Sequence, residues 1–283
     1  MTPVDISVAS ADDMRLLSDW AHEEGWNPGH ADGPAFHATD PGGFLIGRID
    51  GEPVSCVSVV RYGAAFGFLG FYLTRPHLRG RGYGTQLWRA GMERLAGRNV
   101  GLDGVVAQQA NYRKSGFRSA WTTMRYEGVV PTGAELPDGV ELIDARTLPF
   151  GRLTDYDRRF FPEARDSFLA HWIASPGHSA LAAVGDGEVR GFAVLRACRG
   201  TASRIGPLYA SSPEVATALL ATLADTAPGE PVAIDVPDVN PAAVRLAEGL
   251  GLTPSFETAR MYTGQVPGAD HSGLYGITSL ELG

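Results

Sequence analysis

The alternation of hydrophobic and polar positions predicts amphipathic helices in both halves of the chain. In residues 11–24, Met14, Leu17 and Trp20 recur at helical spacing behind Ser10, whose hydroxyl suits a helix N-cap. The same periodicity predicts further helices at residues 85–95, 160–173 and 216–223. Each helix has one apolar face, so each is expected to pack against a sheet or another helix.

Strands are predicted where apolar runs are bounded by turn residues. Two strand pairs, at residues 44–62 and 180–197, turn at Asp-Gly-Glu triplets that begin at Asp50 and Asp186. Further strands are expected at residues 66–73 and 100–106. This order of strands and helices predicts an α/β (α+β) fold in which mixed, mostly antiparallel sheets carry helices on both faces.

The order of elements repeats along the chain, which predicts a tandem duplication. The two Asp-Gly-Glu turns lie 136 residues apart, and the glycines of two matching Gly-hydrophobe pairs, Gly116 and Gly251, lie 135 residues apart. A stretch of Pro, Gly and Glu without periodicity separates the copies. The predicted organisation is a first domain at residues 1–131, a linker at 132–138 and a second domain at 139–283.

A glycine-rich segment joins the strand at 66–73 to the helix that follows. Its sequence is Arg79-Gly80-Arg81-Gly82-Tyr83-Gly84, followed by Thr85. Glycines at such a junction allow tight turns and point successive N–H groups at one place, where the helix dipole adds positive potential. The segment therefore predicts a cradle for phosphate. Thr85 stands where a dinucleotide fingerprint needs its third glycine, and the single lysine, Lys114, is too distant for a P-loop.

Arranged as Arg-x-x-Gly-x-Gly, this loop resembles that of the GNAT superfamily of acyl-CoA-dependent N-acyltransferases. The segments Leu73-Thr74-Arg75-Pro76-His77-Leu78 and Tyr112-Arg113-Lys114-Ser115-Gly116-Phe117 fit the same family pattern. The resemblance covers essentially the whole chain as two tandem GNAT-like domains, and it implies acetyl-CoA as the acyl donor. It implies a cofactor site made of these residues: Phe71, Tyr72, Leu73, Arg79, Gly80, Arg81, Gly82, Tyr83, Gly84 and Thr85.

The resemblance also implies the catalytic groups. In this superfamily a tyrosine four residues before the Gly-Phe pair often protonates the departing thiolate, and Tyr112 has that position. The alternative is a helix tyrosine that packs on the sheet. Many members use a glutamate of the fourth strand as the base, but residues 65–73 contain no carboxylate. The expected base is Asp103, Glu24 or a bound water, and the alternative for Asp103 is a structural acid paired with an arginine.

The acceptor is expected to bind beside the loop that follows the first helix. Trp26 offers stacking or cation–π contact, Asn27 offers hydrogen bonds, Asp32 offers a negative charge, and Tyr62 is a further candidate from a strand. The alternative is an ordinary loop with a half-buried tryptophan. With 24 basic and 32 acidic residues the net charge is −8, which favours a small amine over nucleic acid or an anionic membrane as the partner.

The remaining composition adds little chemistry. Cys56 and Cys198 are expected to be reduced core residues, and no histidine or cysteine spacing indicates a metal site. No signal peptide and no apolar run of membrane-spanning length is evident, so the protein is expected to be cytoplasmic. A homodimer is compatible with the sequence.

The second copy departs from the family pattern at both key points. Its loop, Ala210-Ser211-Ser212-Pro213-Glu214, has no arginine and no glycine pair, and Ala247 stands at the position of Tyr112. The second copy is therefore expected not to bind acetyl-CoA. It is expected either to cover the sheet edge of the first copy or to form a wall of its substrate pocket.

The predicted function is transfer of an acetyl group from acetyl-CoA to a primary amine of a small molecule, by direct attack in a ternary complex. Two alternatives stay open at this point. One is acetylation of an amino-sugar thiol precursor by an enzyme resembling mycothiol synthase, a family whose second domain carries the active cofactor site. The other is a non-catalytic acyl-CoA sensor.

Overall fold

The computed structural model describes residues 2–131 and 133–283, so Thr132, with which the predicted linker begins, lies outside the described residues. The strands of the first half are β1 (Asp5–Val8), β2 (Phe44–Ile49), β3 (Glu52–Tyr62), β4 (Phe66–Thr74), β5 (Asn99–Val105) and β6 (Arg118–Gly128). Its helices are α1 (Ala11–Glu23), α2 (Asp32–Thr39), α3 (Tyr83–Arg94) and α4 (Gln109–Lys114).

The second half repeats this plan and adds a short closing strand. Its strands are β7 (Val140–Asp144), β8 (His178–Gly185), β9 (Glu188–Arg196), β10 (Ser203–Ala210), β11 (Val232–Pro237), β12 (Thr253–Tyr262) and β13 (Leu274–Gly276). Its helices are α5 (Phe150–Asp157), α6 (Asp166–Ala174), α7 (Pro213–Ala224) and α8 (Pro241–Gly249). None of the helices in residues 2–131 and 133–283 is both long and apolar enough to cross a bilayer.

The two halves share one continuous sheet because they exchange their closing strands. The strand order is β1-β2-β3-β4-β5-β12-β6-β11-β10-β9-β8-β7, and β13 pairs with β10. Strand β12 of the second half thus lies between β5 and β6 of the first half, while β6 pairs with β11 of the second half. The mixed α/β architecture predicted from the sequence is confirmed, whereas the exchange of strands was not predicted.

The beginning of α1 follows the predicted capping chemistry, but that of α6 differs from the prediction. Ser10 accepts a hydrogen bond from the Asp13 N–H, and the Asp13 carboxylate accepts one from the Ser10 N–H, which completes a capping box. The helix predicted at 160–173 begins only at Asp166. Arg165 turns inward just before it and pairs with the buried Asp157 at 2.7 Å, so tertiary contacts override the apolar periodicity there.

Helices cover both faces of the sheet, and one of the two layers joins the halves. Helices α3 and α4 pack on one face of the first half, and α7 and α8 pack on the second half. On the other side, side chains from both halves form a single apolar cluster. Within it, the ring of Phe36 from α2 stacks on Trp172 from α6 with ring centroids 5.9 Å apart. The halves are therefore joined by a common core as well as by the sheet.

Candidate functional site

The central opening of the first half lies between β4 and β5. These strands pair in parallel from Phe66–Asn99 to Leu69–Leu102, and no pairing follows although both strands continue. The reason lies in β4, where the register with β3 shifts and Phe71 adopts a positive φ of 43°. A bulge of this kind bends a strand and ends its pairing. Phe71, Tyr72 and Leu73 then line one wall of the resulting opening.

The glycine-rich loop ends at the N-terminus of α3, at the mouth of this opening. Gly80 and Gly82 have φ values of 77° and 82°, a region that favours glycine, and Gly82 is the N-cap of α3. Gly82 has no side chain with which to cap the helix, so the first-turn N–H groups remain available to an anion. A Cβ on Gly84 would lie only 2.7 Å from Thr74 Oγ1, so glycine here permits close packing of helix and strand.

The opening and the loop belong to one cavity of about 570 Å³. Most of the residues that the sequence assigned to the cofactor line this cavity, and they are Phe71, Tyr72, Leu73, Arg79, Gly80, Gly82, Tyr83, Gly84 and Thr85. Arg81 does not line it and points to solvent. Arg79 donates from Nε to the Thr74 carbonyl at 3.0 Å, and its guanidinium pairs with Glu24, another residue of the cavity wall.

Tyr112 lies in the same cavity, on α4. Its ring stacks on Trp88 with centroids 5.4 Å apart, and a Cβ on Gly104 would come within 2.8 Å of it. Burial, with a smaller effect of Tyr72, raises the pKa of Tyr112, so the hydroxyl keeps its proton at neutral pH. Tyr112 therefore both packs against its neighbours and lines the cavity. The first contact fits a packing role and the second fits a role as the acid.

Asp103 also lines the cavity, but its carboxylate is paired with an arginine of the second half. Arg260 on β12 donates from Nε and Nη2 to the two Asp103 oxygens, each at 2.8 Å. Burial raises the pKa of Asp103, and the charge of Arg260 offsets part of this effect. The arginine arrives through the strand exchange. The geometry supports the structural interpretation that the sequence left open for Asp103.

Of the four residues proposed for the acceptor, only Trp26 lines the cavity. Asn27 instead holds a loop of the second half, since it donates to the Ala202 carbonyl at 2.8 Å. Asp32 is buried, accepts from the Gly29 N–H at 2.9 Å and pairs with Arg196. Tyr62 donates to the Leu282 carbonyl at 3.0 Å. Each of these three has a structural contact outside the cavity, which favours a structural role over contact with the acceptor.

The second half contributes cavity residues that the sequence did not indicate. Phe256 and Thr258 come from the exchanged strand β12, and Leu280 and Glu281 come from the segment after β13. No motif marks these residues, because only the strand exchange and the path of the chain after β13 bring them to the first half. Of the two predicted roles of the second copy, the geometry favours that of a pocket wall.

The matching opening of the second half is filled by the chain itself. Strands β10 and β11 pair in parallel only from Ser203–Val232 to Ile205–Ile234, and β13 then pairs with β10. The Ile277 N–H donates to the Asp235 carbonyl of β11 at 3.0 Å, so the chain at and after β13 bonds to both β10 and β11. The helix that follows β10 is capped by the Ser212 hydroxyl. The Val215 N–H in the first turn of α7 thus has a side-chain acceptor, in contrast to the first turn of α3.

Comparison with known proteins agrees with this geometry. Residues 11–117 match the model of the acetyltransferase (GNAT) family, and residues 153–276 match that of an acetyltransferase (GNAT) domain. The holothin acyltransferase of Pseudoalteromonas sp. (strain SANK 73390) is 34% identical over 277 residues, which cover 97% of this chain and 93% of that protein. The chain belongs to the GNAT family. As a GNAT acyltransferase it is an enzyme of acyl transfer.

Solved structures share the tandem GNAT fold. A protein from Pyrococcus horikoshii, assigned as an acetyltransferase, matches with a TM-score of 0.84 and 22% identity over 100% of this chain and 97% of its own. A tandem GNAT protein from the clavulanic acid biosynthesis pathway, solved without acetyl-CoA, matches with a TM-score of 0.64 and 16% identity. That match covers 93% of this chain and 100% of the other. The predicted tandem GNAT fold is thereby confirmed.

Proposed function

We propose that this GNAT enzyme transfers an acetyl group from acetyl-CoA to the primary amine of a small molecule, by direct attack in a ternary complex. The observation that carries the proposal is one continuous cavity, which is lined mainly by the first half. It joins the uncapped N-terminus of α3, the separated ends of β4 and β5, and Tyr112. These are the three things that the reaction needs: an anion site, a slot for an extended arm and a proton donor.

In this proposal the loop from Arg79 to Thr85 binds the pyrophosphate through backbone N–H groups and the helix dipole. The arm follows the slot between β4 and β5, and the thioester carbonyl lies by Phe71, Tyr72 and Leu73. Backbone N–H groups aimed at a carbonyl oxygen stabilise the negative charge that develops there during attack. Arg79 leaves Glu24 or shares its charge when phosphate arrives, because the phosphate is the stronger anion.

The chemistry requires two proton movements at the nitrogen and one at the sulfur. An alkyl ammonium, with a pKa of about 10, loses one proton before its nitrogen attacks the thioester carbon. The C–N bond forms, the C–S bond breaks, and Tyr112 donates its hydroxyl proton to the leaving sulfur. The nitrogen loses its second proton, which balances the one that Tyr112 regains through solvent. One proton is released in total when the acceptor begins as an ammonium.

A small acceptor fits better than a protein lysine because residues of both halves line the cavity beside the proposed thioester position. Trp26, Phe256 and Leu280 are among them. The 34% identical relative is named as an acyltransferase of holothin, so holothin is the first acceptor to test. The filled opening in the second half argues against the alternative in which the second domain carries the cofactor.

The test compares two glycines with the same backbone strain. Gly80 and Gly97 have φ values of 77° and 80°, and a Cβ on either one meets no atom within 4 Å. Substitution by leucine therefore costs both positions about 1–2 kcal/mol of stability. Only Gly80 lines the cavity. We expect Gly80→Leu to weaken acetyl-CoA binding by more than about tenfold in calorimetry, and Gly97→Leu to leave it unchanged.

The same preparations are assayed for thiol release from acetyl-CoA with holothin and a panel of primary amines. Turnover by the wild type that falls in Gly80→Leu and persists in Gly97→Leu supports the transferase. Equal affinity of both variants for acetyl-CoA would contradict the assignment of the loop to the donor site. Tight binding of acetyl-CoA without thiol release for any amine would leave the acyl-CoA sensor as the better description.

A further inference from the structure

One buried carboxylate of the cavity has no hydrogen-bond partner in the described part of the chain. The side chain of Glu281 is only 2% exposed, and neither of its carboxylate oxygens has a partner among the described residues. Its nearest cation is Arg204, at 3.8 Å from Nη1 to Oε1, which is too long for a hydrogen bond. Thr258 lines the same cavity, and its hydroxyl also lacks a partner within residues 2–131 and 133–283. Burying a carboxylate without hydrogen-bond donors costs free energy, so a molecule other than this chain is expected to supply a hydrogen-bond donor.

The backbone of Glu281 is held firmly beside β4. The Ser58 hydroxyl donates to its carbonyl at 3.4 Å, and the Tyr62 hydroxyl donates to the carbonyl of the following Leu282. A Cβ on Gly70 would overlap the Glu281 carbonyl oxygen, so glycine at this position lets the segment approach. Gly70 immediately precedes Phe71, where β4 separates from β5. Glu281 is therefore fixed next to the place where the thioester is proposed to lie.

The other buried acids near the site are already satisfied. Both oxygens of Asp103 accept hydrogen bonds from Arg260. Asp235 accepts from Arg125 and Arg204, and these two charges hold its pKa well below the usual range although burial alone would raise it. Glu281 is the acid of this group that is left without a donor. It also supplies a carboxylate where residues 65–73 of the first half have none.

We propose that Glu281 binds the amine of the acceptor and accepts its first proton. This role rests on the proposed acetyl transfer. The ammonium N–H groups donate to the Glu281 oxygens, one proton moves to the carboxylate, and the free nitrogen attacks the thioester carbon. Glu281 then releases that proton to solvent, and Tyr112 protonates the sulfur as described above. The second half thus provides the base for a donor site built by the first half.

The surroundings of Glu281 also indicate the body of the acceptor. Arg125 donates to the Trp26 carbonyl at 3.1 Å and lies over the Phe256 ring at 5.3 Å from its centroid. One guanidinium thus contacts two aromatic residues of the cavity wall. Aromatic walls favour flat or apolar groups. The acceptor that fits is a small amine with a compact ring or apolar body.

The experiment compares Glu281→Gln with the exposed control Glu141→Gln in the full chain. Thermal unfolding, acetyl-CoA calorimetry and kcat/KM for an alkyl amine are measured from about pH 6.5 to about pH 9.5. Glutamine keeps the size of Glu281 and removes the base. We expect normal unfolding, normal acetyl-CoA binding and a loss in kcat/KM of about 100-fold near neutral pH. The loss should shrink by about tenfold per pH unit, because the variant depends on free amine from solution.

Each other result overturns the assignment in a recognisable way. If the wild type turns over and Glu281→Gln is equally active, Glu281 is not the base, although the proposed transferase stands. A loss of activity that stays constant with pH leads to the same conclusion. If Glu281→Gln unfolds while Glu281→Asp stays folded, the residue is the counter-ion of Arg204 and not the base. Absence of thiol release by the wild type, with acetyl-CoA bound, overturns the proposed transferase itself.

Discussion

The exchange of closing strands predicts that the first half does not fold as an isolated fragment. In residues 1–131, β6 would lose both of its neighbours, because β12 and β11 come from the second half. The lost pairing covers residues 101–105 of β5 with β12, residues 118–127 of β6 with β12, and residues 123–128 of β6 with β11. The fragment would contain an unpaired strand and an open edge at β5.

The magnitude follows from the buried charges that cross the exchange. Asp103 would lose Arg260, and Arg125 would lose Asp235, both partners being in the second half. Removing one partner of an ion pair costs about 3–5 kcal/mol when the other charge stays buried, so the two pairs together cost at most about 6–10 kcal/mol, and less where water reaches the remaining charge. A domain is stable by only about 5–15 kcal/mol, and the lost sheet hydrogen bonds add to the deficit.

The assay expresses residues 1–131 alone and together with residues 133–283, and it measures size by gel filtration and unfolding by circular dichroism. We expect the single fragment to aggregate or to lack a cooperative transition, and the two fragments to form a one-to-one complex. The control is the full chain cut by a specific protease at a site inserted next to Gly133, which should keep its fold and activity. A monomeric 1–131 fragment that unfolds cooperatively and binds acetyl-CoA would refute the reasoning.

Three further predictions concern single residues. Tyr112→Phe keeps the stack on Trp88 and removes the proton, so kcat should fall by about 100-fold while calorimetry shows unchanged acetyl-CoA affinity; unchanged kcat would exclude Tyr112 as the acid. Asp103→Asn leaves Arg260 buried without its counter-ion and should lower the free energy of unfolding in urea by about 3–5 kcal/mol, whereas a loss below about 1 kcal/mol would argue against a structural pair. Burial, with nearby Arg196, lowers the pKa of His178. The unfolded chain therefore binds the proton more tightly than the folded chain does. The contribution of neutral His178 to stability is complete above about pH 6.5 and is lost as the pH falls. The urea midpoint should therefore drop more between about pH 7.5 and about pH 5 in the wild type than in His178→Gln, and equal drops would contradict this sign.

The sequence by itself determined the elements and the donor side of the site. Apolar periodicity placed the helix after Ser10 and the strands around Asp50, because capping and turn chemistry act over a few residues. The loop around Gly80 and Gly82 could be recognised for the same reason. Its function depends on backbone conformations that glycine favours and on the helix that directly follows. These local properties are written in consecutive residues.

Only the tertiary structure decided which half supplies each remaining part of the site. Asp103 faces Arg260, and the cavity gains Thr258 and Glu281, because strand β12 and the segment after β13 cross into the first half. Such contacts join residues more than 150 positions apart, as the Asp103–Arg260 separation of 157 shows. Periodicity cannot report which strand pairs with which when two copies offer equivalent edges. The partner is chosen by the packing and charge pairing of the whole sheet, which a local pattern does not contain.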